Sequence, residues 1–133
     1  VYPYKSSLTG QSAKELAAQY EKDTGRQWTQ PLGYAHAIWE IGVEALKRSG
    51  NPHDKDAIRK VLKTMKMDTI VGKVNWADTP IKNVAKTEVV GGQWRLSSKI
   101  GAKGKHKYQL LVTNNATAPG IPVQAKAKLL GDL

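Results

Sequence analysis

Pro31-Leu32-Gly33-Tyr34-Ala35-His36-Ala37-Ile38-Trp39-Glu40-Ile41-Gly42-Val43-Glu44-Ala45-Leu46-Lys47-Arg48-Ser49-Gly50 opens on a proline and closes on a glycine. Proline suits the first turn of a helix, where its missing N–H costs nothing. Glycine takes the left-handed conformation that ends one. The stretch therefore predicts a helix from Pro31 to about Ser49. Ala35, Ile38, Trp39, Ile41, Gly42, Ala45 and Leu46 make it apolar over more than half its circumference. A surface helix needs only one apolar stripe, so this one is expected to be buried or packed on two sides.

Upstream, Ser7 or Thr9 can cap a helix over about Gln11–Asp23, with Ala13, Leu16, Ala17 and Tyr20 at the spacing of one buried stripe. Gly25 stands where a left-handed C-terminal cap belongs. Downstream, Asp54 caps a third helix to about Met65, with Ile58, Val61, Leu62 and Met65 inward. Beyond residue 68 the pattern turns extended. Thr69-Ile70-Val71, Val74-Asn75-Trp76, Thr87–Val90, Gln93-Trp94-Arg95 and Tyr108–Val112 read as short strands, and Gly91-Gly92 as a two-residue hairpin turn. Ser97–Lys107 reads as an exposed loop and the tail from Asn114 as irregular. The expected class is α/β, helices in the first half and short strands in the second. Three helices with such apolar faces usually pack on a sheet. The short strands do not supply one large enough to cover them.

The 133 residues, 40% hydrophobic and 24% charged, suit one globular domain or part of one. No apolar run is long enough to span a membrane as a helix. Without cysteine there is no disulfide, thiolate metal site or cysteine nucleophile. The start at Val1-Tyr2-Pro3, with neither initiator Met nor signal peptide, is read as that of a processed or excised piece. Net charge is +10 and uneven: 11 basic and 8 acidic residues up to position 68, then 10 and 3. Such a balance fits a solvated basic surface, or a stand-alone module binding nucleic acid or another polyanion. Lys99, Lys103, Lys105, His106, Lys107 and Tyr108 are the residues such a module would use.

Catalytic signals are weak. His36, Glu40 and Glu44 fall at i, i+4 and i+8 on one face of the second helix. His36 and Glu40 could share a metal or do acid–base work, but no third ligand is signalled, and a polar stripe facing solvent is the expected reading. No serine elbow or phosphate loop is present. The linker before the second helix is more informative. Trp28, Thr29 and Gln30 place an aromatic, a hydroxyl and an amide beside a helix N-terminus, whose N–H groups and partial positive charge suit a carboxylate. Trp28 serves equally well as a hydrophobic staple.

Several stretches share a family pattern: Trp28-Thr29-Gln30-Pro31-Leu32-Gly33-Tyr34-Ala35, Ala45-Leu46-Lys47-Arg48-Ser49-Gly50, Asp54-Lys55-Asp56-Ala57-Ile58-Arg59, Asp68 to Trp76, Lys82-Asn83-Val84, Val90-Gly91-Gly92-Gln93-Trp94 and Asn114 to Pro119. In this order they resemble the late part of the type I periplasmic solute-binding proteins, the extracellular receptors of branched-chain amino acid ABC importers. The likeness runs from about Ser6 to Pro122. The longer, basic Ser97–Lys107 insertion and the tail after Pro122 depart from it.

The resemblance implies the C-terminal portion of a two-lobed type I periplasmic-binding-protein fold. Residues 1–86 would give helices and an edge strand to the first lobe, and 87–133 the third hinge crossing and a tail in the second. It implies a periplasmic (exported) protein without catalysis or cofactor, closing on an amino acid or small, often aromatic, carboxylate. Trp28, Thr29, Gln30 and Tyr34 become the candidate ligand-binding residues, Tyr34 more as packing than contact. The implied partners are that ligand, the ABC permease and the missing N-terminal portion of the receptor, with an intertwined homodimer for the fragment alone and no nucleic acid.

Overall fold

The computed structural model describes residues 2–102 and 106–129. Among them the chain is mixed α/β, with three helices and two small antiparallel sheets. It divides into two compact units, Val1–Thr87 and Glu88–Leu133. No helix among the described residues is long and apolar enough to cross a membrane.

The first unit holds α1 (Ala13–Thr24), α2 (Pro31–Ser49), α3 (Lys55–Thr64), β1 (Lys66–Thr69) and β2 (Gly72–Asn75). α1 starts at Ser12, not at the expected Ser7 or Thr9. Ser12 and Glu15 form a capping box: the Glu15 N–H donates to Ser12 Oγ at 3.2 Å and the Ser12 N–H to Glu15 Oε2 at 2.8 Å. α2 runs from the proline to the serine as its sequence predicts, and Gly50 closes it at φ 70°. Asp54 Oδ1 caps α3 by accepting from the Asp56 and Ala57 N–H groups.

Ile70 and Val71 are not a strand, as their β-branched side chains suggest, but the two-residue turn joining β1 to β2. Thr69 closes that turn. Its hydroxyl donates to the Gly72 carbonyl at 2.7 Å and accepts from the Val71 N–H at 3.3 Å. The turn is apolar because it points into the core: Ile70 and Val71 are buried with Ala37 of α2, and Tyr2, Ala13, Leu16 and Tyr34 pack around them. α2 comes so close that a Cβ on Gly33 would meet Val71 Cγ1 at 3.1 Å, so a larger residue there would require Val71 to shift by a few tenths of an ångström.

Among the described residues α2 packs on one side only. Ala37, Glu40 and Ala45 are buried, while Ile38 and Trp39 are 68% and 72% exposed and Leu46 is exposed as well. With Ala35 and Gly42 they form an uncharged stripe along the helix. The second layer expected from the sequence is not among the described residues.

The second unit is a hairpin of β3 (Gly91–Leu96) and β4 (Tyr108–Asn114) with a 3-10 turn over Ser97–Ile100. Gly91-Gly92 is not the hairpin turn; it lies within β3, and the register shifts between the two glycines. Thr87–Val90 forms no strand. Ser97 is buried rather than part of an exposed loop, its hydroxyl donating to the His106 carbonyl at 2.7 Å. Lys103 and Lys105 lie outside the described residues. The irregular tail is held at residues 124–128. The Gln124 N–H donates to the Val112 carbonyl at 2.8 Å, and the Val112 N–H to Gln124 Oε1 at 2.9 Å.

Candidate functional site

The linker before α2 is tied back to α1, where the Trp28 N–H donates to Glu21 Oε1 at 3.3 Å. Trp28 is half-buried, and Thr29 and Gln30 are exposed. The first turn forms at once: the Leu32 N–H reaches the Thr29 carbonyl at 3.1 Å, and Gln30 already has helical angles, φ −51° and ψ −40°. No side chain caps this end and no acid sits in its first turn. α1 and α3 both carry a side-chain cap and an acidic residue there. The positive end of α2 is thus the one left without an anionic neighbour on its own helix. Tyr34, the fourth candidate, is committed to packing on the core cluster.

The His36–Glu40–Glu44 stripe is not a solvent-facing one at its centre: His36 and Glu44 are partly exposed, but Glu40 is not, which overturns the sequence expectation there. Glu40 is 0% exposed. Its Oε1 accepts from the Ser7 N–H and from the Ser7 hydroxyl at 2.9 Å, and its Oε2 accepts from the buried Ile70 N–H at 2.9 Å. One carboxylate therefore ties α2 to the N-terminal segment and to the β1–β2 turn. Glu44 pairs with Arg48 at 2.7 Å, and Arg48 Nη1 reaches the Lys66 carbonyl at 3.3 Å. Both oxygens of Glu40 are engaged by donors, an arrangement unsuited to metal binding. Among the described residues no three His, Cys, Asp or Glu side chains group around a metal position.

Ser6 and His36 have the reach of a nucleophile and its base, with Ser6 Oγ 2.7 Å from His36 Nε2. The surroundings give the pair another task. Ser6 is only 3% exposed, and its Oγ accepts from the Leu8 and Thr9 N–H groups, each at 3.2 Å. With its lone pairs taken by these two N–H groups, the hydroxyl has its proton left to direct at His36 Nε2. A substrate carbonyl has no approach to so enclosed an oxygen. The pair fixes the turn over residues 6–9.

Sequence reasoning missed the burial of Glu40 and the part played by Ser6, because the contacts that enclose Glu40 and the Ser6–His36 contact span 30 or more positions. The one local hint was that a helix apolar over most of its circumference has little solvent-facing surface on which to place a polar stripe. Of the basic residues, Lys107 Nζ lies 5.5 Å from the centre of the Tyr108 ring. Compared with known proteins, the chain matches no family model, no curated protein and no solved structure.

Proposed function

We propose that this chain is part of the solute-binding component of an ABC importer, exported to the periplasm, in which two lobes close on an amino acid or small carboxylate. The observation that carries this reading is α2 itself. One face is knotted into the first unit through Glu40, the opposite face is bare and uncharged, and the N-terminus is uncapped beside an aromatic linker. A helix with a bare face suits one layer of a doubly wound sheet supplied by another part of the receptor. Its positive end suits a ligand carboxylate in the cleft. Trp28 supplies apolar contact, and Thr29 and Gln30 donate to or accept from polar ligand groups. Closure on the ligand presents a surface to the permease.

The test is ligand binding by the full-length receptor, screened by thermal shift against amino acids and aromatic acids. Trp28→Ala or Gln30→Ala weakens binding by about tenfold, equivalent to about 1.4 kcal/mol, and leaves the unliganded melting temperature unchanged. Normal binding by both variants, or unfolding by either, overturns the assignment of the linker to the cleft.

A further inference from the structure

Arg95 is 6% exposed and has no carboxylate partner among the described residues. Its Nη2 donates to Gln93 Oε1 at 2.6 Å and to the Lys126 carbonyl at 2.8 Å, both neutral acceptors. Its Nε is buried without an acceptor among the described residues. Burying a guanidinium costs its hydration, and neutral carbonyls offset less of that cost than a charged acceptor. An orphaned buried N–H on a cation calls for a physical explanation.

The roof over this arginine is the tail. Gln93, two residues before Arg95 on the same face of β3, grips it with both amide atoms: Nε2 donates to the Lys128 carbonyl at 2.7 Å, and Oε1 accepts from the Lys128 N–H at 2.9 Å. Residues 126–128 therefore lie over the Arg95 fork, and the Lys126 carbonyl occupies one of its two adjacent donor positions. We propose that Arg95 anchors a carboxylate-binding site roofed by residues 124–128, with the Lys126 carbonyl holding the place of one carboxylate oxygen. A planar carboxylate puts one oxygen where that carbonyl now sits and the second against Nε, the bidentate geometry that suits arginine. The strap and the anion then compete for Nη2, so binding loosens residues 126–128. This inference stands on the second unit alone and does not depend on the cleft proposed above.

The probe is sodium acetate, added to the whole chain at constant ionic strength and followed by the Arg95 Nε–H signal and the Lys126 and Lys128 amides in nitrogen-15 NMR spectra. The expected result is a saturable shift of all three, half-complete in the millimolar range. Lys128→Pro removes one N–H that holds the strap and tightens acetate binding about threefold or more, because the open fraction rises. Gln93→Ala loosens the same strap from β3 and shifts the midpoint the same way. Arg95→Lys abolishes saturation. The proposal is overturned if the Nε–H does not respond to acetate in the unmodified chain and Lys128→Pro. It is overturned equally if chloride or inorganic phosphate produces the same response, or if loosening the strap leaves the midpoint unmoved.

Discussion

Among the described residues each unit buries one charged side chain, and the two are treated differently. Glu40 in the first unit meets two backbone N–H groups and a hydroxyl, spread over both oxygens. Arg95 in the second meets one amide oxygen and one carbonyl through a single nitrogen, and its Nε has no hydrogen-bond acceptor among the described residues. A buried charge becomes a fixture when the surrounding backbone offers groups of the opposite polarity. Where the backbone does not, the charge remains an unbalanced cost that a ligand or a conformational change can relieve.

The largest expected effect is on Glu40. Glu40→Leu keeps the volume but strands the Ile70 N–H in the core and frees Ser7, costing about 3 kcal/mol. Arg95→Met, by contrast, replaces an under-satisfied cation with an apolar chain of similar length and leaves stability within about 1 kcal/mol of the parent, or raises it. Urea denaturation of both variants, with hydrogen exchange at Ile70 to localise the loss, decides the matter. Equal losses would break the comparison, since they would make Arg95 as structural as Glu40.

A middle-sized effect sharpens it. Ser6→Ala removes the donor to His36 and the acceptor of the Leu8 and Thr9 N–H groups. The cost is about 1 to 2 kcal/mol, confined to the turn that Glu40 also holds through Ser7. A double-mutant cycle with Glu40→Leu returns a coupling of about 0.5 kcal/mol or more if the two polar contacts form one knot. Strict additivity would make them separate fixtures.

The parts legible in the sequence were those whose causes are local. α2 was legible from Pro31 to Gly50 because its start, its stop and its dense apolar spacing all lie within the helix. The Asp54 cap of α3 and the left-handed Gly25 were legible for the same reason. Ser12 and Glu15 have the capping-box spacing, but Ser7 and Thr9 are equally good cap residues by type, and only the fold shows that their segment forms a turn against α2 instead. Ile70 and Val71 misled because a turn buried in a core selects the same β-branched side chains as a strand. Gly91-Gly92 misled because two glycines serve a bulge as well as a turn. Trp28, Thr29 and Gln30 were legible as a linker, yet the missing cap on α2 became meaningful only beside the caps on the other two helices. Glu40 and Arg95 were illegible, since the type of a charged residue does not reveal which distant backbone will enclose it.

The smallest effect tests the acidic side of the comparison. Two exposed carboxyls of the first unit are held below their ordinary range: Glu15 by the Ser12 N–H and then its hydroxyl, and Asp78 by the Lys66 side chain and then the Asn75 amide. A carboxyl depressed in the folded state binds its proton less readily there than in the unfolded chain. Its contribution is therefore complete above the unfolded value and is lost as pH falls through the folded one. Between about pH 6 and about pH 3, hydrogen-exchange protection at the start of α1 should fall, and Glu15→Gln should flatten that dependence. The Asp78–Lys66 pair, 2.7 Å apart at the surface, should respond to salt as well, because screening weakens an exposed pair. The amide to follow there is Trp76, whose N–H donates to the Met65 carbonyl at 3.0 Å beside the pair. Glu88 is the one carboxylate among the described residues of the second unit, so the exchange of β3 and β4 should change less over the same range. Protection that rises with acid at Glu15, or that falls equally in β3 and β4, would show that surface carboxylates do not set the acid response of the first unit.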